Sequence, residues 1–403
     1  MAETDHGPGG GRAQVPEMPL EAVGPHPGAR IPALDGLRGL AILMVFLFHF
    51  GEDRAREGVI AKVLFKATDF GWTGVDLFFA LSGFLITGIL LDSKGSPSAY
   101  SKYLLRRVLR IFPPYYALLL LLFVVLRAPL WSSEDFRAFY ADRAWYWLYI
   151  QNWRIASGAW PIFLNMGHLW SLALEEQFYL VWPTVVLLCD RRTTAWVAGA
   201  LVVLAPLFRV TAWGLLSGDR ASAVYVSTLT RMDVLALGAL VALLVRNREG
   251  LEWLRRSSPR LAFGAGVVVL GVFAARKTFR WPDPGVQIAG LSAVGLLAAV
   301  AVARTATDGP GRWTARVLGV RPLRWLGQVS YVAYLIHQPI LQINSRLEGK
   351  ATWFGTWTAG RTFVASASLT LLGAWLSWVA LEKPVLRLRI RLEATVGRVK
   401  TAR

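Results

Sequence analysis

The sequence is short of the residues on which soluble folds and metal sites depend. It has one cysteine, Cys189, which excludes an intramolecular disulfide and a thiolate metal cluster. Charge is scarce as well. Only 17% of residues are Asp, Glu, Lys or Arg, against about a quarter in soluble domains. That is too little polar surface for a water-soluble chain of 403 residues. Acidic residues are the scarcer sign, 26 against 44 basic, which leaves a net charge of +18. Such an excess suits a nucleic-acid binder, but the arginines fall in short runs between apolar blocks and build no continuous basic domain. Nucleic acid is therefore not an expected partner. Histidine is rare: five in all, and His6 and His26 lie in an N-terminal stretch rich in Gly, Pro and Ala. His49, His168 and His337 are left for chemistry. No repeat of fixed period is visible. No signal-peptide pattern is visible either, because the first apolar run starts after residue 30 with no small-residue cleavage site behind it. It reads as a retained first span.

Apolar sequence is what the chain has in quantity: 54% hydrophobic residues, with 18 Trp and 20 Phe. It comes in blocks at about 34–50, 71–91, 109–127, 172–189, 194–210, 228–245, 260–275, 286–303, 324–343 and 362–381. These predict an all-α, polytopic integral membrane helical bundle of about ten transmembrane helices. The stretch 145–170, rich in Trp and Tyr but broken by Asn152, Arg154, Gly158 and Pro161, reads as interfacial or re-entrant. The expected organisation is a disordered cytoplasmic tail over 1–30, a membrane domain over 31–384 and a basic cytoplasmic tail over 385–403. Segments 92–110, 190–193, 246–260 and 304–324 carry the basic residues and alternate with mixed ones. The positive-inside rule then puts both termini in the cytoplasm. Segment 276–285, with Arg276, Lys277 and Arg280 against one Asp, fits that rule poorly.

Polar residues inside these blocks are the functional candidates, since ionisable groups at membrane depth are costly and face a bundle interior or a wet cavity. His49 ends the first block, about 16 Å along a helix from Arg38. Asp76 and Gly83 in the second block share a face, and small residues there allow close helix approach. Ser82 has nothing adjacent in sequence to activate it. Arg107 and Arg110 are three apart on one helical face while Arg106 points elsewhere. The pair could snorkel to lipid phosphates or grip the phosphates of a cytoplasmic ligand. Pro113 and Pro114 directly behind them are expected to bend or restart the helix. His168, Ser171, Glu175, Glu176 and Tyr179 open the fourth block, and the two carboxylates there are hard to place on a surface. His168 with Glu175 or Glu176 lacks any fixed metal-ligand spacing, so no metal is expected. Ser330, Tyr334 and His337 form a polar stripe at helical spacing.

Taken in order, the stretches LDGLRGLAILMVFLFHF, GVDLFFALSGFLI, LLRRVLRIFPPYY, HLWSLALEEQFYLVWP, YVAYLIHQP and LEKP resemble the acyltransferase 3 family of integral membrane acyltransferases, over about residues 31–384. That family includes O-acetylases of bacterial surface polysaccharides. The resemblance implies about ten spans in a bacterial plasma membrane. It also implies an acyl donor, acyl-CoA (commonly acetyl-CoA), and an acceptor hydroxyl on a surface glycan or a glycosylated small molecule. The family's first-span histidine matches His49 and its arginine pair matches Arg107 and Arg110. Asp35, Arg38, Asp76, Glu175 and Glu176 match further recurrent polar positions. Many members carry an extracellular esterase-like domain at the C-terminus, which is not expected in this sequence.

The chemistry expected of these residues follows from the reaction. An alcohol attacking a thioester needs a base near neutral pH, and His49 has the depth for it. Asp76, Glu175 or Glu176 would orient it. Arg107 and Arg110 would hold the coenzyme A phosphates. The rival reading is a transporter or flippase for a lipid or glycan intermediate, which explains the spans and buried charges equally well but leaves the basic pair and the ordered motifs unexplained.

Overall fold

The computed structural model describes residues 31–50, 68–309, 311–348 and 359–388, and no strand occurs among them. Among the described residues, ten helices of 17 residues or more make the bundle. They are α1 (Pro32–His49), α2 (Gly74–Ser93), α3 (Ala99–Leu120), α4 (Trp170–Leu188), α5 (Arg191–Leu215), α6 (Thr228–Leu244), α7 (Arg248–Arg276), α8 (Leu291–Thr307), α9 (Arg321–Glu348) and α10 (Ala359–Ser377). Each falls on one of the ten apolar blocks. Eight of the ten, extended in places by an adjoining turn, are long and apolar enough to cross a membrane. The other two, α4 and α9, reach about 28 Å and about 42 Å at the α-helical rise, but they carry the polar residues of the candidate site. The expected N-terminal tail, most of segment 51–70 and the end of the C-terminal tail lie outside the described residues.

Two glycine crossings set the packing. α1 packs along α9, and α2 along α6. A Cβ on Gly39 would overlap the Leu323 carbonyl, and one on Gly327 the Asp35 carbonyl, so the α1 and α9 backbones touch there. Gly83 and Gly238 do the same for α2 and α6, against Leu235 and Ala80. In lipid, where no hydrophobic force draws helices together, such close approach maximises dispersion contact. These crossings fix α1, α2 and α9 as the inner helices, while α5 and α7 turn large apolar side chains such as Trp196, Phe263 and Leu270 outward.

Three local features differ from what the sequence suggests. α3 runs through Pro113 and Pro114 without restarting; a wider turn comes later, at Leu121–Val125. Much of the expected basic loops is helix, since α3 begins at Ala99 and α7 at Arg248. Arginine is a good helix former whose stem packs along apolar surface. In segment 276–285, Arg276 bonds Asp283 at 3.0 Å, which removes part of that loop's positive charge.

Residues 127–169 form short helices at Arg127–Leu130, Glu134–Ala141, Arg143–Trp147 and Gln151–Ala156, then a 3-10 segment at Phe163–Leu169. Buried amides satisfy the broken backbone. Gln151 donates to the Leu169 carbonyl (2.8 Å), Asn152 to that of Val226 (3.2 Å), and Gln177 to that of Tyr149 (3.0 Å). Irregular backbone is tolerated within a membrane protein where protein groups meet its needs in this way.

Candidate active site

The first part of the site is a cavity with about 660 Å³ of empty space between α1, α2, α3, α4 and α9. Arg38, Arg107 and Arg110 line it, with Glu175 and Glu176 across from them. Three guanidiniums against two carboxylates make a basic chamber. Arg107 stacks over the Tyr179 ring at 4.2 Å, a cation–π contact that holds the fork in place. Arg106, one residue away, does not line the cavity, although it and Arg110 are both exposed. Ser82 is less isolated than its sequence neighbours suggest. It donates to Glu175 Oε1 (2.9 Å) and accepts from the Tyr179 hydroxyl (2.8 Å).

The second part is a cluster of the three histidines. The His49 and His337 rings lie 4.9 Å apart, and those of His168 and His337 4.8 Å apart. Hydrogen bonds assign their tautomers. His49 Nδ1 lies 3.1 Å from the Val45 carbonyl, which can only accept. The proton is therefore assigned to Nδ1, and the lone pair to Nε2. His337 Nδ1 faces the Tyr334 carbonyl at 2.5 Å, so its Nε2 accepts from His49 Nδ1 at 3.3 Å. His168 has its two nitrogens 3.2 Å from the Asn165 and Leu335 carbonyls, and a neutral ring donates to one of them. Among the described residues, no hydrogen-bond partner faces His49 Nε2. No group of three or more His, Cys, Asp or Glu suited to hold a metal occurs among the described residues.

His49 and His168 line a second cavity whose walls are mostly aromatic. Arg38 and His49 are 11 residues apart on α1, close to three turns, so one helix face reaches both cavities. The two cavities share Val75 and Tyr334. The Tyr334 hydroxyl donates to the His168 carbonyl (3.0 Å) and pairs with Ser171 Oγ (2.7 Å). Of the sequence stripe, Ser330 lines the first chamber and Tyr334 both, while His337 lies behind His49 and lines neither. Leu164 and Asn165, both with φ 49°, turn the backbone just before His168. Two successive non-glycine residues in the left-handed region store strain of the kind found at functional sites.

Asp76 is not beside His49. It bonds Arg231 at 2.8 Å, and both side chains are fully buried. The Arg231 guanidinium also lies 5.1–5.8 Å from the rings of Tyr225, Trp170 and Phe79. A second buried pair, Arg209 and Asp233, stands next to it at 2.8 Å. The sequence reading passed over Arg209, Arg231 and Asp233, although ionisable residues in the middle of apolar blocks are the signal that would have found them. The hydrogen bonds of His49 among the described residues go to Val45 and His337, while Glu175 engages Ser82. The structure brings Arg107, Arg110, Glu175 and Glu176 into one chamber, His49 into the other, and Asp76 into neither lining.

A basic chamber beside a histidine chamber, inside a helical bundle, is an arrangement suited to group transfer at a membrane. The chain belongs to the acyltransferase 3 family, whose model, described as an acyltransferase domain, matches residues 31–379. It is similar to the peptidoglycan O-acetyltransferase OatA of Listeria monocytogenes, with 29% identity over 380 residues, 88% of this chain and 56% of that protein. A Bacillus subtilis protein named "Putative peptidoglycan O-acetyltransferase YrhL" is also 29% identical, over 88% of this chain and 55% of its own length. The chain thus spans about half the length of these relatives. No solved structure matches it.

Proposed function

We propose that the protein is a membrane O-acetyltransferase. It would move an acetyl group from acetyl-CoA to a hydroxyl of a surface glycan or glycosylated small molecule, with peptidoglycan, the polymer in the relatives' names, as the first acceptor to test. The reading rests on the two chambers that meet at Tyr334. Arg38, Arg107 and Arg110 suit the phosphates of coenzyme A, because guanidinium forks bind phosphate oxygens in pairs. The pantetheine arm then runs toward Tyr334 and presents the thioester to the histidine chamber.

There the acceptor hydroxyl gives its proton to His49 Nε2 as its oxygen attacks the thioester carbonyl. The tetrahedral intermediate collapses, the C–S bond breaks, and the departing thiolate takes up the proton held on His49. His337 accepts from Nδ1 and keeps the ring in the tautomer that leaves Nε2 basic. Glu175 and Glu176 balance the guanidiniums, and Glu175 anchors Ser82. The basic segments, and with them both termini and the mouth of the arginine chamber, face the cytoplasm of a bacterial plasma membrane. The deciding experiment incubates the purified protein in lipid nanodiscs with labelled acetyl-CoA and peptidoglycan fragments. Label on the glycan as an alkali-labile ester is the expected result. Movement of a lipid or glycan across the bilayer with the thioester intact would favour a transporter instead.

A further inference from the structure

The aromatic wall of the histidine chamber holds a pair of side-chain amides. Asn165 Nδ2 donates to Gln338 Oε1 at 2.9 Å, and both residues line the chamber with His49. Gln338 is 2% exposed, and its Nε2 has no hydrogen-bond partner among the described residues. A buried polar group left without a partner needs a reason, because it forfeits the hydrogen bonds it made to water. Two other donors of this chamber are already spent: the Trp72 indole on the Phe279 carbonyl and the Tyr334 hydroxyl on that of His168, each at 3.0 Å. Two contacts clasp Gln338 in place. Asn165 holds its carbonyl end, and the Leu335 carbonyl, three residues earlier in α9, meets His168 Nε2 at 3.2 Å. Asn165 stands at φ 49°, in the left-handed region that asparagine tolerates better than most residues.

We propose that Gln338 is the oxyanion donor of the acyl transfer, and that Asn165 is the positioning residue that aims its N–H groups into the chamber. The proposal rests on the acyl-transfer reading, which brings the thioester to the histidine chamber. A base there removes the proton of the attacking hydroxyl but does nothing for the charge that gathers on the carbonyl oxygen. As the acceptor oxygen bonds to the carbonyl carbon and its proton passes to His49 Nε2, the C=O π pair moves onto oxygen. Gln338 Nε2–H donates to that oxyanion. When the C–S bond breaks, the pair returns to reform the carbonyl, and the thiolate takes the proton from His49. The amide stays neutral and gives up no proton. Its orientation is set beforehand by Asn165, and a donor that needs no reorganisation, in a chamber walled by aromatic rings, stabilises developing charge best.

The test uses the full chain in nanodiscs with acetyl-CoA and peptidoglycan fragments. Gln338→Met keeps the length of the side chain and removes the donor. It should lower kcat by about 10²–10³-fold and leave the KM for acetyl-CoA unchanged, the pattern of an interaction made in the transition state. Asn165→Gly suits the left-handed backbone and frees the Gln338 amide to turn. It should lower kcat by about tenfold alone and by nothing further in the Gln338→Met background, because both changes act through one contact. A donor analogue with sulfur in place of the carbonyl oxygen tests that contact itself. Sulfur is a weak acceptor, so the wild type should prefer the oxygen donor, and Gln338→Met should shrink that preference by about tenfold or more. A purely structural residue would slow both donors alike. Should Gln338→Met fail to bind coenzyme A, Asn165→Gly carries the same oxygen-to-sulfur comparison. Wild-type kcat in Gln338→Met, or equal losses on the two donors, would overturn the oxyanion donor and leave the acyl-transfer reading standing. A wild-type protein that cleaves no acetyl-CoA would overturn that reading, and the oxyanion donor with it.

Discussion

Removing the Asp76 carboxylate should destabilise the protein rather than disable a catalytic group. The Arg231 guanidinium is fully buried, its Nη2 bonds Asp76 Oδ1 at 2.8 Å, and its Nε and Nη1 have no hydrogen-bond partner among the described residues. Asp76→Ala leaves that cation with three aromatic faces at 5.1–5.8 Å. Cation–π contacts contribute about 0.5–2 kcal/mol each and do not replace a lost counter-ion. Breaking a buried pair on one side costs about 3–5 kcal/mol, which is a factor of roughly 10²–10³ or more in the folded fraction. Asp76→Asn should cost less, since its amide oxygen still accepts from Nη2. Replacing both partners, as Asp76→Leu with Arg231→Met, should recover most of the stability, because no unpaired charge then remains.

Equilibrium unfolding of nanodisc or mixed-micelle samples in increasing sodium dodecyl sulfate measures each step. Acetyl-CoA turnover per folded molecule is followed in parallel. The reasoning predicts that surviving folded Asp76→Asn protein keeps most of its turnover and the wild-type pH profile. A fully stable Asp76→Asn protein with turnover down a hundredfold would refute it. Asp76 would then belong to the chemistry, coupled to the histidine chamber by some route other than the Arg231 pair.

Arg107→Ala and Arg110→Ala should each weaken coenzyme A binding by about 1.5–3 kcal/mol, tenfold or more, while Arg106→Ala changes it little; titration with coenzyme A checks this, and equal effects from all three would indicate lipid anchoring. His49→Ala should lower turnover by roughly 10²–10⁴-fold with coenzyme A affinity intact, and only this variant should lose the acidic limb of the pH–rate profile. His49→Gln should be as inactive, since an amide can position an alcohol but cannot take its proton. A cysteine placed at Arg255 in a Cys189→Ser background should resist an impermeant maleimide in intact cells, and ready labelling would reverse the proposed orientation.

The sequence carried the helices well because hydrocarbon imposes a simple rule: every span must be apolar for about twenty residues and satisfy its own backbone. Ten blocks became ten long helices, and the arginine face with Arg107, Arg110 and not Arg106 came from helical spacing alone. Arg38 was visible as a polar position in α1, but not as the third guanidinium of the chamber, because that requires knowing that α1 and α3 meet. Pairings across the bundle were illegible for the same reason. Asp76 has several cations within reach of a sequence argument, and only the Gly83–Gly238 crossing of α2 and α6 brings Arg231 to it.

The three histidines show what kind of information packing adds. By sequence, depth, the available carboxylates and the match to the family's first-span histidine selected His49. In the structure they differ in which nitrogen is free. His168 has its nitrogens against two carbonyls, that of Asn165 in the irregular segment and that of Leu335 in α9, which Pro339 leaves without its helical donor. His337 spends one on its own helix and the other on His49. His49 ends α1, and its Nδ1 reaches back to the Val45 carbonyl four residues earlier, while Nε2 has no hydrogen-bond partner among the described residues. Position at a helix end, beside a chamber and backed by a second imidazole, is therefore what supports the proposal of His49 as the base. The polar depth read from the sequence is a consequence of that position.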